Sequence, residues 1–361
     1  MTEKDAYVAF NLTEQVGAVT VARLAARFGG VVEAWKNHPL KVARTGGDVD
    51  WEAEYAKAAK FGVKIVTPAD EGYPRRLLEQ PGHPLALYVK GDGAALSKPS
   101  VALVGTRRAT AYGLDQAGRF ARALAEAGWS IVSGLAVGID AASHAGALAA
   151  GGTTVGVIGS GLDRFYPEEN RALAREIVKN GGAVVSEFPF GRPPDAQTFP
   201  QRNHVVAALA AGVLCIEAPA KSGTLITASI AADMGRTVMA IPGRVDSPSC
   251  SGCLSLIRDG ARLVRSPKDV ESELASLAPL RAPDGKKSRR ESAASSVPVP
   301  EFSIEESIIM RNLDEGGASI DSLVERTKLP AAKVNSVCMT LRMKGRIRFL
   351  PGNRVAALKA E

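Results

Sequence analysis

The chain has 361 residues, with 45 Lys and Arg against 38 Asp and Glu for a formal net charge of +7, and it is 45% apolar but only 5% aromatic. That balance excludes disorder throughout and, at roughly 100–200 residues per domain, a single small module. The longest strongly apolar run without a charge, 205–216, falls short of the ~18–20 residues a membrane helix needs, and Met1-Thr2-Glu3-Lys4-Asp5 does not read as a signal peptide, so a cytoplasmic protein with no membrane partner is expected.

In chain order, Leu12-Thr-Glu-Gln-Val-Gly17 precedes a helical pattern over 19–35 that breaks at Gly29-Gly30. Short helices are expected there, in an order resembling a helix-hairpin-helix, whose hairpin amides can hold a phosphate; a domain that only packs is the plainer reading. Pro68, Pro74, Pro81 and Pro84 then interrupt the pattern and separate a helical segment, 1–65, from a larger one, 66–280. Within the larger segment 101–104 reads as a buried strand; Ala117, Phe120, Ala121 and Leu124 line one face of the helix after it, and Gly128 ends that helix. Further strands are expected at 129–133, 154–158, 183–186, 213–217 and 237–241, each separated by a helix-length stretch. Near-continuous apolar strands alternating with helices mean a parallel sheet covered on both faces, an α/β Rossmann-like arrangement whose ligands bind outside the carboxyl ends of the strands.

Those strand ends carry Gly105-Thr106-Arg107-Arg108, Ser133-Gly134 with Gly138 and Asp140, Gly159-Ser-Gly161-Leu-Asp163, and Ser186-Glu187. Phe199-Pro-Gln-Arg202-Asn203, Glu217 and Lys221-Ser222-Gly223-Thr224 join them. Glycines admit an anion to the backbone amides, and Arg107, Arg202 and Lys221 can pair with phosphate, so the rim reads as a phosphate-binding surface. No complete G-x-G-x-x-G and no G-x-x-x-x-G-K-[ST] occurs, which removes NAD, FAD and ATP; no cofactor is expected. Ser133, Asp140 and His144 have the letters of a hydrolase triad, but an ordinary i,i+4 pair of Asp140 with His144 explains them without catalysis. Glu187 and Glu217 could be paired acids, yet carboxylates capping backbone donors are the better reading. Four cysteines are too few for a disulfide scaffold, Cys215 sits in an apolar run, and Cys250-x-x-Cys253 lacks the further ligands of a zinc site, so no metal is expected.

Taken together, Gly105-Thr-Arg107, Ser133-Gly-Leu-Ala-Val-Gly-Ile-Asp140 with His144, Gly159-Ser-Gly-Leu-Asp163, Tyr166-Pro167 with Asn170, and Ser186-Glu187 resemble the DprA/Smf family, the DNA-processing proteins of natural transformation. So do Phe199-Pro-Gln-Arg-Asn203, Glu217-Ala218 with Lys221-Ser-Gly-Thr-Leu-Ile-Thr227, Gly235-Arg236, Pro242-Gly243, and Leu256-Ile257 with Gly260-Ala261, in order from Gly72-Tyr-Pro74 to Val264. The resemblance implies an extended Rossmann-like domain at 66–280 that binds single-stranded DNA without sequence preference, forms a homodimer and loads RecA recombinase, with no enzymatic activity and no catalytic residue. It implies that Arg107 holds a phosphate, that Arg202 and Asn203 line the same basic pocket, and that Lys221 flanks it. Gly105, Thr106, Gly134 and Ser222 would add close backbone and hydroxyl contacts, with Ser133, Gly138, Gly159, Gly161, Gly223 and Thr224 completing the rim. Phe199 would either stack on a base or fill the core. Two positions depart from the family: His204 stands where a second Arg is common, taking about one positive charge from the pocket at neutral pH, and Leu254 replaces a polar residue. The rim lies wholly before Ser266, so a chain ending near there is expected to keep it.

Residues 1–65 read as a SAM/helix-hairpin-helix-like domain and 281–302, with four Lys and Arg at 286–290, as a flexible basic linker. In the 303–361 piece, helices at 303–313, 319–327 and 331–344 precede a two-stranded hairpin, the pattern of a winged helix, with Ser319 and Pro330 at helix starts. Residues 301–325 carry seven acids and one base, 326–361 nine bases and one acid, so one face should be basic. Lys333, Asn335, Thr340, Arg342 and Lys344 could contact duplex DNA, or the module could dock a protein. Two alternatives remain open: a phosphoribohydrolase-like nucleotide-processing enzyme using the same rim, and a duplex-DNA regulator acting through the winged helix.

Overall fold

The structure is a computed structural model and describes residues 1–38, 48–275, 304–313, 318–343, 346–350 and 354–357. The 281–302 segment, Lys344 and residues 351–353 lie outside the described residues. The chain divides into two compact units, Met1–Pro283 and Asp284–Glu361.

The first unit is built on a nine-stranded sheet: β1 (Lys64–Val66), β2 (Leu87–Gly91), β3 (Ser100–Val104), β4 (Ser130–Ser133), β5 (Thr154–Val157), β6 (Ala183–Ser186), β7 (Gly212–Cys215), β8 (Thr237–Ala240) and β9 (Arg262–Leu263), in the order β1-β2-β6-β5-β4-β3-β7-β8-β9. Pairing is parallel from β6 to β9, while β1 and β2 join antiparallel at one edge. The strands expected from their apolar runs form the centre of the sheet. Those not foreseen, β1, β2 and β9, lie at its margins, where short strands need less apolar sequence.

Alternation along each strand divides the core in two. Val101 and Leu103 face one layer with Ile131, Phe120 and Leu124, whereas Ala102 and Val104 face the other with Val132, Val155, Val205 and Leu209. The first layer is covered by the Ala111–Glu126 helix, whose Ala117, Phe120, Ala121 and Leu124 are buried as their spacing requires; the Thr198–Leu209 helix covers the second. Each large side chain fully buried in this way contributes about 1.5–3 kcal/mol over leaving it exposed.

The expected break at Gly29-Gly30 separates the helices Ala18–Phe28 and Val31–Asn37; Gly29 takes the left-handed conformation (φ 81°) and its amide donates to Ala25 O. Among the described residues the segment also has two helices outside that pattern, Glu3–Leu12 and Trp51–Phe61. They pack Val8, Leu12 and Ala58 on Ile65, Tyr88 and Phe190, so residues 1–65 share a core with the β1–β2 edge, and β1 itself straddles the 65/66 boundary. The buried Glu54 carboxylate accepts the Phe190 amide at 2.8 Å; burial raises its pKa, against which Phe190 and Lys57 act.

The second unit has helices Ile304–Arg311, Ile320–Thr327 and Ala331–Met343 and strands β10 (Ala318–Ser319), β11 (Ile347–Leu350) and β12 (Arg354–Ala357) in the order β10-β12-β11. The expected hairpin therefore gains a third short strand, because Ala318 and Ser319 pair with Val355 and Arg354 just before Ser319 caps the next helix. Ile309, Leu323, Val334, Leu341, Ile347 and Val355 form its core.

His144, fully buried on the Ile139–Ala149 helix, meets Thr154 Oγ1 through Nδ1 at 2.7 Å; the Thr154 hydroxyl donates to Ile131 O, so Nδ1 carries the proton. Burial, reinforced by the Arg202 charge, pushes its pKa down to about 3. As pH falls below the ordinary value of about 6.5, the unfolded chain binds a proton that the folded chain refuses, and stability drops. Between pH 7 and about pH 4.5 this group alone should remove about 2–3 kcal/mol. His144→Asn keeps an N–H donor without titrating, so urea unfolding of the variant should lose correspondingly less over the same interval; equal losses would mean that His144 titrates normally.

Candidate nucleic-acid interface

From β3 the chain winds through β4, β5 and β6 to one side, and β7 and β8 then lie on the other. The loops leaving β3 and β7 therefore part, and an open α/β sheet binds ligands in the crevice this creates. A cleft of about 1240 Å³ occupies that place. Its walls carry Arg107, Arg108, Arg202 and Lys221 against a single acid, Asp140. Arg107, Arg108 and Lys221 are exposed. The helices Ala111–Glu126, Ile139–Ala149 and Gly223–Asp233 follow β3, β4 and β7 and begin around the cleft, adding the partial positive charge of their N-termini. Ser222 caps the last of them by accepting Thr224 N at 3.2 Å.

The floor is a buried charge network. Arg202 is 5% exposed; its Nη1 donates to Gly134 O and, at 2.9 Å, to Val157 O. Asp140 Oδ2 accepts the amides of Gly134 and Ala136 at 3.1 and 3.4 Å. A Cβ at residue 134 would run into the Arg202 guanidinium and the Asp140 carboxylate, so only glycine fits. Burial lowers the Arg202 pKa and raises that of Asp140, and the opposite charge of each restrains the shift of the other. Above this floor the Arg107 guanidinium lies over the Phe199 ring, 4.9 Å from its centroid, a cation–π contact. Phe199 is half-buried between the cleft and a smaller pocket beside it, so it belongs to the rim and not the core.

The cleft brings together Gly105, Thr106, Arg107, Gly134, Phe199, Arg202, Asn203, Lys221, Ser222, Gly223 and Thr224, and Gly159 lines the adjoining pocket with Arg107 and Phe199. Ser133, Gly138 and Gly161 are not part of the lining. Ser133 is fully buried and donates to Leu103 O at 2.6 Å inside the sheet. Gly138 (φ 84°) lets the backbone pass against the carbonyls of Thr106 and Arg107, and Gly161 packs against Pro189 O while its amide donates to Arg192 O. His204 lines a separate cavity with His83 and Glu187, so its neutrality takes no charge from the cleft. Leu254 is half-buried and outside the cleft lining. Arg108, which stands with Arg107 at the end of β3, lines the cleft as well, whereas Ile226 lines it but carries no polar signal that sequence could show.

The expected Asp140–His144 pair is not made: Asp140 serves backbone amides and Arg202, and His144 serves Thr154. Nor can Ser133, donating to a carbonyl within the sheet, act as their nucleophile. Glu217 caps backbone as expected, its oxygens accepting Thr110 N at 2.9 Å and the Thr110 hydroxyl at 3.0 Å. Burial pushes the Cys253 thiol up to about 12, away from the thiolate that metal binding or redox chemistry needs.

Family models match the chain twice: DNA recombination-mediator protein A over residues 64–275 and the DprA winged helix domain over residues 293–353. The chain belongs to the DprA/Smf family. Protein Smf of Escherichia coli is 36% identical over 296 residues, covering 81% of this chain and 77% of that protein. DNA processing protein DprA of Streptococcus pneumoniae is 40% identical over 226 residues, 63% of this chain and 78% of its own. The crystal structure of that pneumococcal DprA superposes with a TM-score of 0.64 at 32% identity, covering 76% of this chain and 98% of its own. DprA of Helicobacter pylori, whose structure is described in terms of a single-stranded DNA binding mode, superposes with a TM-score of 0.53 at 29% identity over 60% of this chain and 96% of its own. The winged helix expected from sequence at domain level is thereby a DprA winged helix. Among the described residues no helix is long and apolar enough to cross a membrane.

The family resemblance has Arg202 line the basic pocket beside Arg107, and at 5% exposure, with its guanidinium on the Gly134 and Val157 carbonyls, it does so as a buried structural charge. Arg202→Met leaves Asp140 buried without its cation and should cost about 3–5 kcal/mol in urea unfolding, with Arg202→Met/Asp140→Asn recovering at least half of that cost. Wild-type stability in the single variant would mean that the Arg202 guanidinium is free to serve a ligand instead.

Proposed function

We propose that this DprA chain binds single-stranded DNA without sequence preference along the switch-point cleft, protects it, and presents it for RecA loading as a homodimer in natural transformation. The observation that carries the reading is Arg107: an exposed guanidinium at the carboxyl end of β3, stacked on Phe199 and sharing with Lys221 a cleft whose only acid is buried. Cations that track phosphates beside aromatic rings that take bases are the means by which proteins hold single strands. The single-strand binding attributed to the H. pylori relative supports the same use here. Phosphates would be held by Arg107, Arg108, Lys221 and the amides at Ser222-Gly223-Thr224, over the floor built by Arg202 and Gly134. Cytoplasmic placement and the absence of catalysis follow from this reading.

Neither alternative gains support. For a phosphoribohydrolase the acid after β7 would have to face substrate, and both Glu217 oxygens are engaged by Thr110. For a duplex reader, Lys333, Asn335 and Thr340 are exposed on the third helix of the winged unit, but Lys333 is paired with Glu305 at 3.0 Å. Arg342's side chain and Lys344 lie outside the described residues.

Arg107→Ala should lower the affinity for a labelled dT oligonucleotide about tenfold or more, and should flatten the dependence of log K on log salt by about 0.7, the slope due to one neutralised phosphate on a single strand. Fluorescence anisotropy across a salt series checks both, and a folded variant with unchanged affinity and slope would remove Arg107 from the site. A chain ending at Ala275 should retain binding. The end near Ser266 expected from sequence would cut away the Pro267–Leu274 helix, whose Val270 and Leu274 are fully buried in the sheet core.

A further inference from the structure

Two of the sequence motifs, Gly72-Tyr-Pro74 and Gly235-Arg236, are absent from the cleft lining and converge elsewhere on the sheet. Tyr73 donates its hydroxyl to Pro84 O at 2.6 Å, and Leu77, fully buried in the same core, fixes the short helix Arg75–Leu78. Gly235 takes the left-handed conformation (φ 68°) after the Gly223–Asp233 helix, and the Arg236 amide donates to Ala231 O at 2.8 Å. Arg236 is thereby set at the amino end of β8, whereas the cleft lies at the carboxyl ends of the strands. Its Nη2 donates to Arg76 O at 3.4 Å and stands 3.6 Å from Glu79 Oε2, a carboxylate whose side chain is 57% exposed. The Arg236 side chain itself is 13% exposed, and its buried Nε has no hydrogen-bond partner among the described residues. Burial, and after it the Arg236 charge, lowers the Arg76 pKa, with Glu79 acting against both.

We propose that Arg76 and Arg236 form an oxyanion site, separate from the cleft, that takes a phosphate group. Two guanidiniums drawn together out of bulk water repel, and one exposed carboxylate beyond hydrogen-bond distance of Arg236 neutralises only part of their charge. A buried donor without an acceptor adds to that cost. An oxyanion supplies both missing elements, negative charge between the two side chains and an acceptor for the Arg236 Nε–H, and the planar fork of a guanidinium matches the spacing of phosphate oxygens. Arg236 also lines a groove of about 1230 Å³ with Arg262 and Asp259, so the site opens to solvent. The ligand is defined by its phosphate, either free in solution or carried by a nucleic-acid backbone that runs beyond the cleft. The inference does not rest on the single-strand reading above.

The test uses the full-length protein carrying Arg107→Ala, which weakens the cleft's own hold on phosphate, and follows thermal unfolding in inorganic phosphate against sodium chloride of equal ionic strength. Phosphate should raise Tm, as a ligand of the folded state does, and adding Arg76→Gln or Arg236→Gln should remove about half or more of that rise. Arg76 is only half-buried, so Arg76→Gln carries the test should Arg236→Gln fail to fold. An equal rise in all three chains, or none in the first, would overturn the site. A second arm titrates the wild type and Arg76→Gln with labelled dT strands of about 10 and about 40 nucleotides, the one within the length that a single-strand groove holds and the other well beyond it. Weakening of about threefold or more on the longer strand alone, as the loss of one phosphate contact gives, assigns the site to backbone phosphate. Unchanged affinity for both strands, with the Tm rise lost, assigns it to a free phosphate. Equal weakening on the two would place Arg76 in the cleft's own site and overturn the proposal. A wild type that binds neither strand would remove the single-strand reading and leave this site to stand on the Tm rise.

Discussion

The cleft depends on one buried charge. Arg202 reaches from the Thr198–Leu209 helix to the carbonyls of Gly134 and Val157, and so ties that helix to the ends of two neighbouring strands. A guanidinium out of water needs acceptors and a counter-charge, and Asp140 supplies the latter while organising the Gly134 and Ala136 amides. The arrangement leaves no room for a side chain at residue 134, and it sets the level of the floor above which Arg107 and Lys221 stand.

From that floor the rim divides its work by exposure. Buried polar groups, Arg202, Asp140, Glu217 and His144, are committed to backbone or to neighbouring side chains and keep the loops in place. Exposed groups, Arg107, Arg108 and Lys221, remain available to a ligand. The two sets are linked, because Glu217 holds Thr110, which caps the helix immediately after Arg107-Arg108, and Thr106 N donates to Glu217 O. The fold thus places a cationic surface on a support that a bound strand need not organise.

Much of this architecture was legible because fully buried parallel strands must be apolar along their length, as 101–104 and 213–216 are, and because helix faces such as Ala117-Phe120-Ala121-Leu124 repeat with the helical period. Edge elements obey a weaker rule. Both residues of β9 are exposed, and β2 lies just beyond a stretch rich in proline, so neither shows a strand pattern. In the N-terminal segment the Trp51–Phe61 helix carries Glu54 at a buried position, where its partner, the Phe190 amide, is far away in sequence.

The sequence by itself determined the alternation of strands and helices, the parallel sheet with its site at the strand ends, the glycine- and cation-rich rim and the family. It could not rank residues of one type within that rim. Arg107 and Arg202 are the same side chain, and both belong to strand-end motifs, but one is exposed and the other enclosed, because enclosure depends on carbonyls that β4 and β5 present from distant parts of the chain. Ser133, Gly138 and Gly161 likewise have the composition of a phosphate loop and serve packing instead. Tyr166 and Phe199 are 33 positions apart, and only the closing of the loop after β5 over the helix after β6 brings their rings into contact, since local sequence sets the strands while long-range packing decides which surfaces meet.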